Sequence, residues 1–341
     1  MTTRVSHELR QHSPAVKQVP RVGLVLGAGG VPGAAFHAGT LLGLKQDLGW
    51  DADRADVVVG SSIGSLVGAL IRTRLSADDI AAWAASVRPL SRGITTRRVL
   101  DQLDDKTSSI AVPAPLPPIR RVRQAQHLLR GRRQGSIAPH TAAMALMPGG
   151  WVDPANKFRT LETLLPTGPS KALWIVAVRI RDAQRVVFGQ TGATPDLGLS
   201  VAASCAIPGV FRPVKLGSES FIDGGAHSPT NADLLIHAGV DIAVILSPMS
   251  AHAGAGKGHL DRWLRAFFTR QLDAETKQLE AAGIEVIVFQ PDRTVSRSMG
   301  RNPLSRSHSG AVVREAFFAA GEHISRVRAF SRSEWHYIPA A

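Results

Sequence analysis

A single serine set between two glycines behind a short apolar run constrains this chain more than any other feature. The run Val57–Val59 is β-branched, which predicts a buried strand, and Gly60-Ser61-Ser62-Ile63-Gly64 follows at once. The small apolar residues after this turn predict a helix. Strand, G-x-S-x-G turn and helix form the layout of a nucleophile elbow, in which a sharp turn presents a serine hydroxyl. Ser62 is therefore the candidate nucleophile of an α/β fold.

The two glycines of this turn have a physical reason. Strand and helix pass each other closely there, so the residues two before and two after Ser62, which are Gly60 and Gly64, must be small. The helix also directs its N-terminal amides at the serine, which favours an alkoxide or an oxyanion. A lone G-x-S-x-G is more often an ordinary β–α loop, so the interpretation depends on the rest of the chain.

A glycine-rich loop precedes the elbow. Arg21–Leu26 predicts a buried strand, Gly27-Ala28-Gly29-Gly30-Val31-Pro32-Gly33 follows, and Ala34–Leu48 has helical spacing. Such a loop presents several backbone amides to one point, which suits a phosphate or an oxyanion. A dinucleotide fingerprint fails because Pro32 stands in place of its third glycine, and no Gly-Lys-Ser/Thr is present. We therefore expect an oxyanion loop, with a purely structural turn as the alternative.

A serine hydroxyl is a poor nucleophile until a base removes its proton. Asp223 is the candidate base, because it follows the short apolar stretch 220–222 and precedes Gly224 and Gly225. These glycines let a carboxylate approach another backbone closely. Taken alone, Asp-Gly-Gly is most often a simple turn.

Together and in this order, these features resemble the patatin-like phospholipase family from Arg21 to about Pro248. Gly27–Gly33 corresponds to the family's oxyanion loop, Gly60–Gly64 to its elbow, and Asp223-Gly224-Gly225 to its D-G-A/G motif. Ala203–Phe211 is similar to the stretch that precedes this motif. The resemblance implies a three-layer α/β/α sandwich with a mainly parallel central sheet.

The resemblance also implies a lipid acyl hydrolase with a Ser-Asp dyad and no catalytic histidine. Ser62 would attack the ester, Asp223 would take its proton, and water would free the acid from an acyl-serine. This chemistry requires no metal and no cofactor. The chain departs from the family at Pro32, where many members carry a basic residue. Since proline has no N–H to donate, the expected oxyanion contributors are Gly29, Gly30 and Val31.

Two other functions stay open at this stage. The first is an α/β-hydrolase with a Ser-Asp-His triad, because His227, His237 and His252 all follow Asp223. Of these, His227 is the histidine to test, because His237 falls on a predicted helix beside apolar residues. The second is a catalytically weak lipid-binding or regulatory protein.

The chain predicts one hydrolytic domain over residues 21–330, between an N-terminal tail (1–20) and a C-terminal tail (331–341). Within it, residues 88–160 change character and predict an insertion over the site. Residues 88–135 contain several prolines, together with 11 basic and 3 acidic residues, and the stretch 120–133 is especially basic. A solvated basic surface is the alternative interpretation.

Composition narrows the partners. The net charge of +13 predicts an acidic partner, and a lipid or phospholipid ester substrate with peripheral contact to an anionic membrane fits it. A general bias of the composition toward arginine is the alternative explanation of this charge. Nucleic acid does not fit, because aromatic residues make up only 5% and no binding signature is present. The single Cys205 excludes an internal disulfide. With neither a signal peptide nor a run of about 20 apolar residues, a cytoplasmic location is expected.

Overall fold

The computed structural model describes residues 19–87, 100, 101, 103, 138–163, 172–191, 196–252, 255 and 258–330. The C-terminal tail, almost all of the N-terminal tail and most of the predicted insertion, including the basic stretch 120–133, lie outside the described residues. Among the described helices, none has both the length and the apolar character that a membrane span needs.

Strands and helices alternate along most of the described chain. The strands are β1 (Val22–Leu26), β2 (Val57–Ser61), β3 (Ala172–Arg179), β4 (Arg185–Phe188), β5 (Val214–Leu216), β6 (Glu219–Asp223), β7 (Ile242–Leu246) and β8 (Glu285–Phe289). The helices are α1 (Gly30–Leu48), α2 (Ile63–Arg72), α3 (Ala77–Ala84), α4 (Pro139–Leu146), α5 (Ala155–Phe158), α6 (Leu197–Ser204), α7 (His259–Ala281), α8 (Arg293–Ser298) and α9 (Ser309–Phe330). Short 3₁₀ turns cover Ala52–Arg54, Arg159–Thr163, Gly224–Ala226 and Ala232–His237.

The strands form one mixed sheet with the pairing path β5-β6-β3-β2-β1-β7-β8, in which β6 and β2 share one edge of β3 and β4 pairs with the other edge. The central strands β3, β2, β1, β7 and β8 run parallel, whereas β4, β5 and β6 pair antiparallel. Parallel strands covered on both faces are expected to be continuously apolar. β1, β2 and β7 are buried along their whole length and meet this expectation.

Alternate residues of β1 point into two separate cores. Leu24 and Leu26 pack with α1, α2 and α9 on one face, whereas Val25 packs with Val59 and with α7 on the other. The sheet is therefore a central layer between two layers of helices. This arrangement confirms the predicted three-layer α/β/α fold with a mainly parallel sheet.

Two local expectations changed in the structure. The helix expected from Ala34 begins at Gly30, because Pro32 falls in its first turn, where proline is tolerated. Asparagine favours the N-cap position, so the sequence around Asn231 predicts that it caps a helix up to His237. It does precede a 3₁₀ turn, but its side chain makes no cap hydrogen bond and points elsewhere.

Candidate active site

Ser62 sits on a strained turn between β2 and α2. Its φ of 53° and ψ of −128° are rare for a residue with a side chain, and such strain is kept only where neighbouring groups impose it. The Ser62 amide donates to Ser204 Oγ (2.9 Å), and Ser65 Oγ donates to the Ser62 carbonyl (2.7 Å). The Ser204 hydroxyl in turn donates to the Val176 carbonyl (2.6 Å). Hydrogen bonds thus hold both the amide and the carbonyl of the candidate nucleophile in place.

The glycines that flank the turn lie where no side chain fits. A Cβ added at Gly60 would lie 2.5 Å from the Cα of Ser65, and one added at Gly64 would collide with the Leu26 carbonyl of β1. Both obstacles are backbone atoms, which cannot move aside by a change of side-chain rotamer. The G-x-S-x-G spacing therefore matches a close approach of strand and helix.

Strand β3 brings the two candidate catalytic residues together. Its Val176 pairs with Ser61 of β2, and the next residue, Ala177, pairs with Asp223 of β6. Both β3 residues also pair with β4, which must occupy the opposite edge. β2 and β6 therefore lie end to end along one edge of β3, and the residue after Ser61 falls beside Asp223.

Ser62 and Asp223 share a short hydrogen bond in a buried site. Ser62 Oγ donates to Asp223 Oδ2 at 2.6 Å, and the two residues are 4% and 5% exposed. The other carboxylate oxygen, Oδ1, accepts from the Gly225 amide at 2.7 Å. Burial raises the pKa of Asp223 to about 7, against the opposing effect of these two hydrogen bonds.

The two glycines after Asp223 have separate roles. A Cβ at Gly224 would collide with the Val176 carbonyl of β3, so this position requires the close approach that the sequence predicted. Gly225 supplies the amide that holds the carboxylate, and a Cβ there would lie 3.0 Å from Ala28 Cβ. The base candidate therefore also borders the glycine-rich loop.

The expected oxyanion loop (Gly27–Gly33) overlaps the start of α1, whose first residue is Gly30. The amides of Gly29 and Gly30 donate to no acceptor within the part of the chain that the structure describes. The amide of Val31 donates to the Pro303 carbonyl at 2.8 Å. Of the three residues expected to donate an amide to the oxyanion, Gly29 and Gly30 thus have amides without an acceptor among the described residues, whereas the Val31 amide is already bonded.

A buried histidine anchors the start of this loop. His37 Nε2 lies 2.8 Å from the Gly27 carbonyl, and since a carbonyl only accepts, Nε2 carries the proton. Burial lowers the pKa of His37 to about 4, so the ring is neutral at pH 7. The position of His37 in the helix after the glycine-rich loop does not reveal this role from the sequence.

His227 is placed apart from the catalytic pair. Among the described residues, its ring makes no hydrogen bond to Ser62 or Asp223, and its carbonyl accepts from His140 Nε2 (2.9 Å). Burial is the main cause that lowers the pKa of His227 to about 4, and the Arg185 guanidinium lowers it further. A ring with this pKa is a weak base.

Sequence reasoning missed Asn231, which bridges the two turns. Its Nδ2 donates to Ser61 Oγ (2.9 Å) and to the Ser228 carbonyl (2.5 Å). Its φ of 52° is left-handed, and asparagine is among the few residues that adopt such backbone readily. The signal in the sequence was an asparagine between polar residues behind Asp-Gly-Gly, which also fits a helix cap. Ser204 was missed in the same way, as a hydroxyl within an apolar helix.

A buried carboxyl from α7 holds the irregular segment 228–231, which carries Asn231. Glu275 accepts from Thr230 Oγ1 (2.5 Å) and from the Ala232 amide (2.9 Å). Burial raises the pKa of Glu275. The segment after Asp223 is therefore tied to both β2 and α7.

No group of three or more His, Cys, Asp or Glu that could hold a metal ion is found in the described residues.

Fold and site together define a class of protein: an α/β domain with a serine elbow, an aspartate base candidate and a glycine-rich loop. The family model for patatin-like phospholipases matches residues 24–236 of this chain. The chain therefore belongs to the patatin-like phospholipase family. This membership confirms the resemblance inferred from the sequence.

Curated relatives are similar to this chain over part of their length. Uncharacterised NTE family proteins of Mycobacterium bovis and Mycobacterium tuberculosis are 26% identical over 238 residues, which cover 70% of this chain and 52% of theirs. The chain spans about half the length of the curated relatives it matches.

Solved structures show more distant similarity. VipD from Legionella pneumophila aligns at 14% identity and a TM-score of 0.44, covering 91% of this chain and 67% of that one. ExoU, in its heterodimeric complex with SpcU from the type III secretion system of Pseudomonas aeruginosa, aligns at 19% identity and a TM-score of 0.37, covering 91% and 52%. Similarities of this size add nothing on activity.

Proposed function

We propose that this protein is a serine-dependent carboxylic ester hydrolase of the phospholipase A or lysophospholipase type, with Ser62 as nucleophile and Asp223 as base. The observation that carries the proposal is the 2.6 Å hydrogen bond from Ser62 Oγ to Asp223 Oδ2 in a buried site. Family membership supports a lipid substrate. The strained backbone of Ser62 supports a functional role, because such strain concentrates at active sites.

The burial of Asp223 is favourable for this role. An ordinary aspartate has a pKa near 3.9 and is a weak base for an alcohol. A base is most effective when its pKa lies near the working pH, and burial raises the pKa of Asp223 to about 7. The carboxylate would take the Ser62 proton as Oγ attacks the ester carbonyl.

The oxyanion of the tetrahedral intermediate would be stabilised by the oxyanion loop. Gly29 and Gly30 offer amides at the N-terminus of α1, where the helix dipole favours negative charge. One such donor is typically worth roughly 3 kcal/mol of transition-state stabilisation. For Val31 to contribute, its amide would first have to leave the Pro303 carbonyl.

Hydrolysis would finish in a second step. In the first step Asp223 passes its proton to the leaving alcohol. Water then attacks the acyl-serine, and Asp223 accepts a proton from that water. Ser62 is then released as the hydroxyl and the fatty acid departs. The same carboxylate serves both steps, so a histidine is not needed.

The proposal is tested by covalent labelling with a fluorescent alkyl organophosphonate. The wild-type chain is expected to gain one label, located on Ser62 by peptide mass spectrometry, and Ser62→Ala is expected to gain none. Ser200→Ala removes a buried hydroxyl of α6 that makes no hydrogen bond among the described residues, so it serves as the matched control and should still be labelled. Labelling of Ser62→Ala at wild-type rate would refute the assignment.

A further inference from the structure

The first turns of α7 expose an aromatic surface, which consists of Trp263, Leu264 and Phe267. Trp263 is 63% exposed and Leu264 is 38% exposed, although both are large apolar side chains. The Trp263 ring stacks on Phe267 with 6.2 Å between centroids and 15° between planes. Phe267 also meets the His140 ring of α4 edge-on at 5.6 Å. The rings are thus held in place and presented outward.

Arginines flank the aromatic surface on the same helix. Arg262 and Arg270 are exposed, and Arg270 lies three residues after Phe267, so the two share one side of the helix. Arg265 has a different role, because it pairs with Asp261 (3.2 Å) and turns toward the body of the protein. An exposed tryptophan between exposed arginines is a pattern suited to the interface between lipid headgroups and acyl chains.

The aromatic surface lies at the end of the sheet where the parallel strands have their carboxyl ends, which is also the end that carries the catalytic pair. β7 and β8 are parallel, so α7, which connects them, runs in the opposite direction and begins at the carboxyl ends of the strands. β1 and β2 also have their carboxyl ends there, and they lead into the oxyanion loop and the Ser62 turn, respectively. The exposed rings and the reactive serine are therefore on one side of the molecule.

Direct contacts connect the helix with the site. Arg265 donates to the Pro248 carbonyl at 3.1 Å, and the Pro248 ring packs against Gly29 of the oxyanion loop. On the other side, His140, which touches Phe267, donates to the carbonyl of His227, just after the Asp-Gly-Gly turn. Arg265 and Pro248 on one side, and His140 on the other, thus link α7 to the two parts of the site.

We propose that the aromatic surface docks on an anionic lipid surface and so brings the active site to its substrate. Trp263 and Leu264 enter the boundary between headgroups and acyl chains, while Arg262 and Arg270 contact lipid phosphates. The proposal rests on the proposed lipid hydrolase function and adds to it how the substrate is reached. Charge complementarity and the position at the same end of the sheet as the site favour lipid over a protein partner.

The test measures vesicle binding without turnover, in the Ser62→Ala background. Vesicles of phosphatidylcholine alone and of phosphatidylcholine with 30% phosphatidylglycerol are sedimented with the protein. Trp263→Ala is expected to weaken partitioning to the mixed vesicles by about tenfold or more. Arg262→Gln/Arg270→Gln should weaken binding to the mixed vesicles only, and this effect should fade as salt rises. Phe318→Ala on α9, whose ring is 58% exposed, is the matched control and should bind within about twofold of the parent.

A second variant reports insertion itself. Trp263→Phe is expected to keep binding to the mixed vesicles but to lose most of the lipid-induced blue shift of tryptophan fluorescence. Unchanged partitioning of Trp263→Ala would overturn the proposal. A lipid-free change of Trp263→Ala from dimer to monomer in analytical ultracentrifugation, with vesicle binding intact, would also overturn it and assign the surface to a second copy of the chain.

Failure of docking and failure of the proposed function give different results. Turnover of a soluble short-chain ester by otherwise wild-type protein depends on Ser62 and should be equal in Trp263→Ala. If this turnover is present and vesicle binding ignores Trp263, docking alone is refuted. If no ester is cleaved but vesicle binding depends on Trp263, the docking surface stands and the hydrolase proposal is refuted.

Discussion

The turn that carries Ser62 and the turn that carries Asp223 are built in opposite ways. The Ser62 turn is recognisable from its immediate neighbours: Gly60 and Gly64 make room for the strand to meet the helix, and Ser65 holds the Ser62 carbonyl. Ser204, from a distant part of the chain, holds the other side of the turn by accepting from the Ser62 amide. The strain is stored in one left-handed residue. Such a turn can be recognised within five consecutive residues.

The Asp223 turn depends on distant parts of the chain. Ala177 of β3 sets its register, Asn231 links its segment to Ser61, and Glu275 of α7 holds that segment from the other side. Asp223 itself is set apart by burial, which raises its pKa to about 7, more than by backbone geometry. One turn is thus a local device of backbone strain, and the other is a long-range device of burial and hydrogen bonding.

The largest effect is expected where the local turn is broken. Gly64→Ala should prevent stable folding or lower the free energy of unfolding by about 3 kcal/mol or more, because its Cβ collides with the Leu26 carbonyl. Urea denaturation followed by circular dichroism measures this. Gly310→Ala is the control, since the nearest atom to its Cβ is the Ala85 carbonyl oxygen at 3.8 Å, and it should be neutral. Equal stability of the two variants would contradict the local account.

A change in the Asp223 turn should lower the activity of the protein more than its stability. Asn231→Gly keeps the left-handed backbone but removes the amide that bonds Ser61 and Ser228. We expect kcat for a soluble ester to fall by about 10- to 100-fold with KM little changed, because the dyad loses its alignment. Asn302→Gly, on an exposed turn, is the control. A drop in stability with an unchanged kcat would mean that Asn231 has only a structural role.

Burial of Asp223 predicts how activity depends on pH. The base works as the carboxylate, so kcat/KM for a soluble ester should rise with pH and reach half its maximum at about pH 7. A half-maximum near pH 4 would show that Asp223 titrates as an exposed carboxyl. Substrates with different leaving groups should give the same midpoint, because kcat/KM reports the free enzyme.

The same shift predicts a stability difference. The folded pKa is raised above the unfolded one, so the protonated carboxyl favours the folded state at low pH, and this contribution is lost as pH rises through about 7. Asp223→Asn should therefore gain stability over wild type between pH 5 and pH 8, by on the order of 2–3 kcal/mol. Urea titrations at both pH values measure this. An equal difference at both pH values would contradict a raised pKa.

The smallest effect on chemistry is expected outside both turns. Charge reversal of Arg120, Arg121 and Arg123 should lower binding to anionic vesicles by on the order of 100-fold at low salt, since each of the three basic residues contributes on the order of 1 kcal/mol. Turnover of a soluble ester should not change. Unchanged vesicle binding would leave this stretch as a solvated surface.

The sequence predicted what depends on local chemistry. The strand and helix around Ser62 and the roles of Gly60 and Gly64 follow from patterns within a dozen residues. The parallel α/β fold follows from apolar runs that alternate with helical spacing. The helix start at Gly30 was missed because a loop rich in glycine and containing proline does not favour a helix, although proline is tolerated in a first turn.

The rest could not be predicted because it depends on pairing between distant segments. Nothing in the sequence near Val176 indicates that adjacent residues of β3 receive β2 and β6 on one edge. The hydrogen bonds of Asn231 to Ser61 and of Val31 to Pro303 likewise join residues far apart in the chain. Burial of Asp223, and hence its raised pKa, also appears only after the chain has folded.

The most direct test of the Ser-Asp dyad compares Asp223→Asn with His227→Gln on a soluble ester. Asp223→Asn keeps the shape of the side chain but removes the proton acceptor, and the account predicts that kcat falls by orders of magnitude. His227→Gln should retain near-wild-type kcat, because its ring bonds neither Ser62 nor Asp223 within the described residues. A folded but inactive His227→Gln alongside a partly active Asp223→Asn would contradict the dyad and indicate a triad.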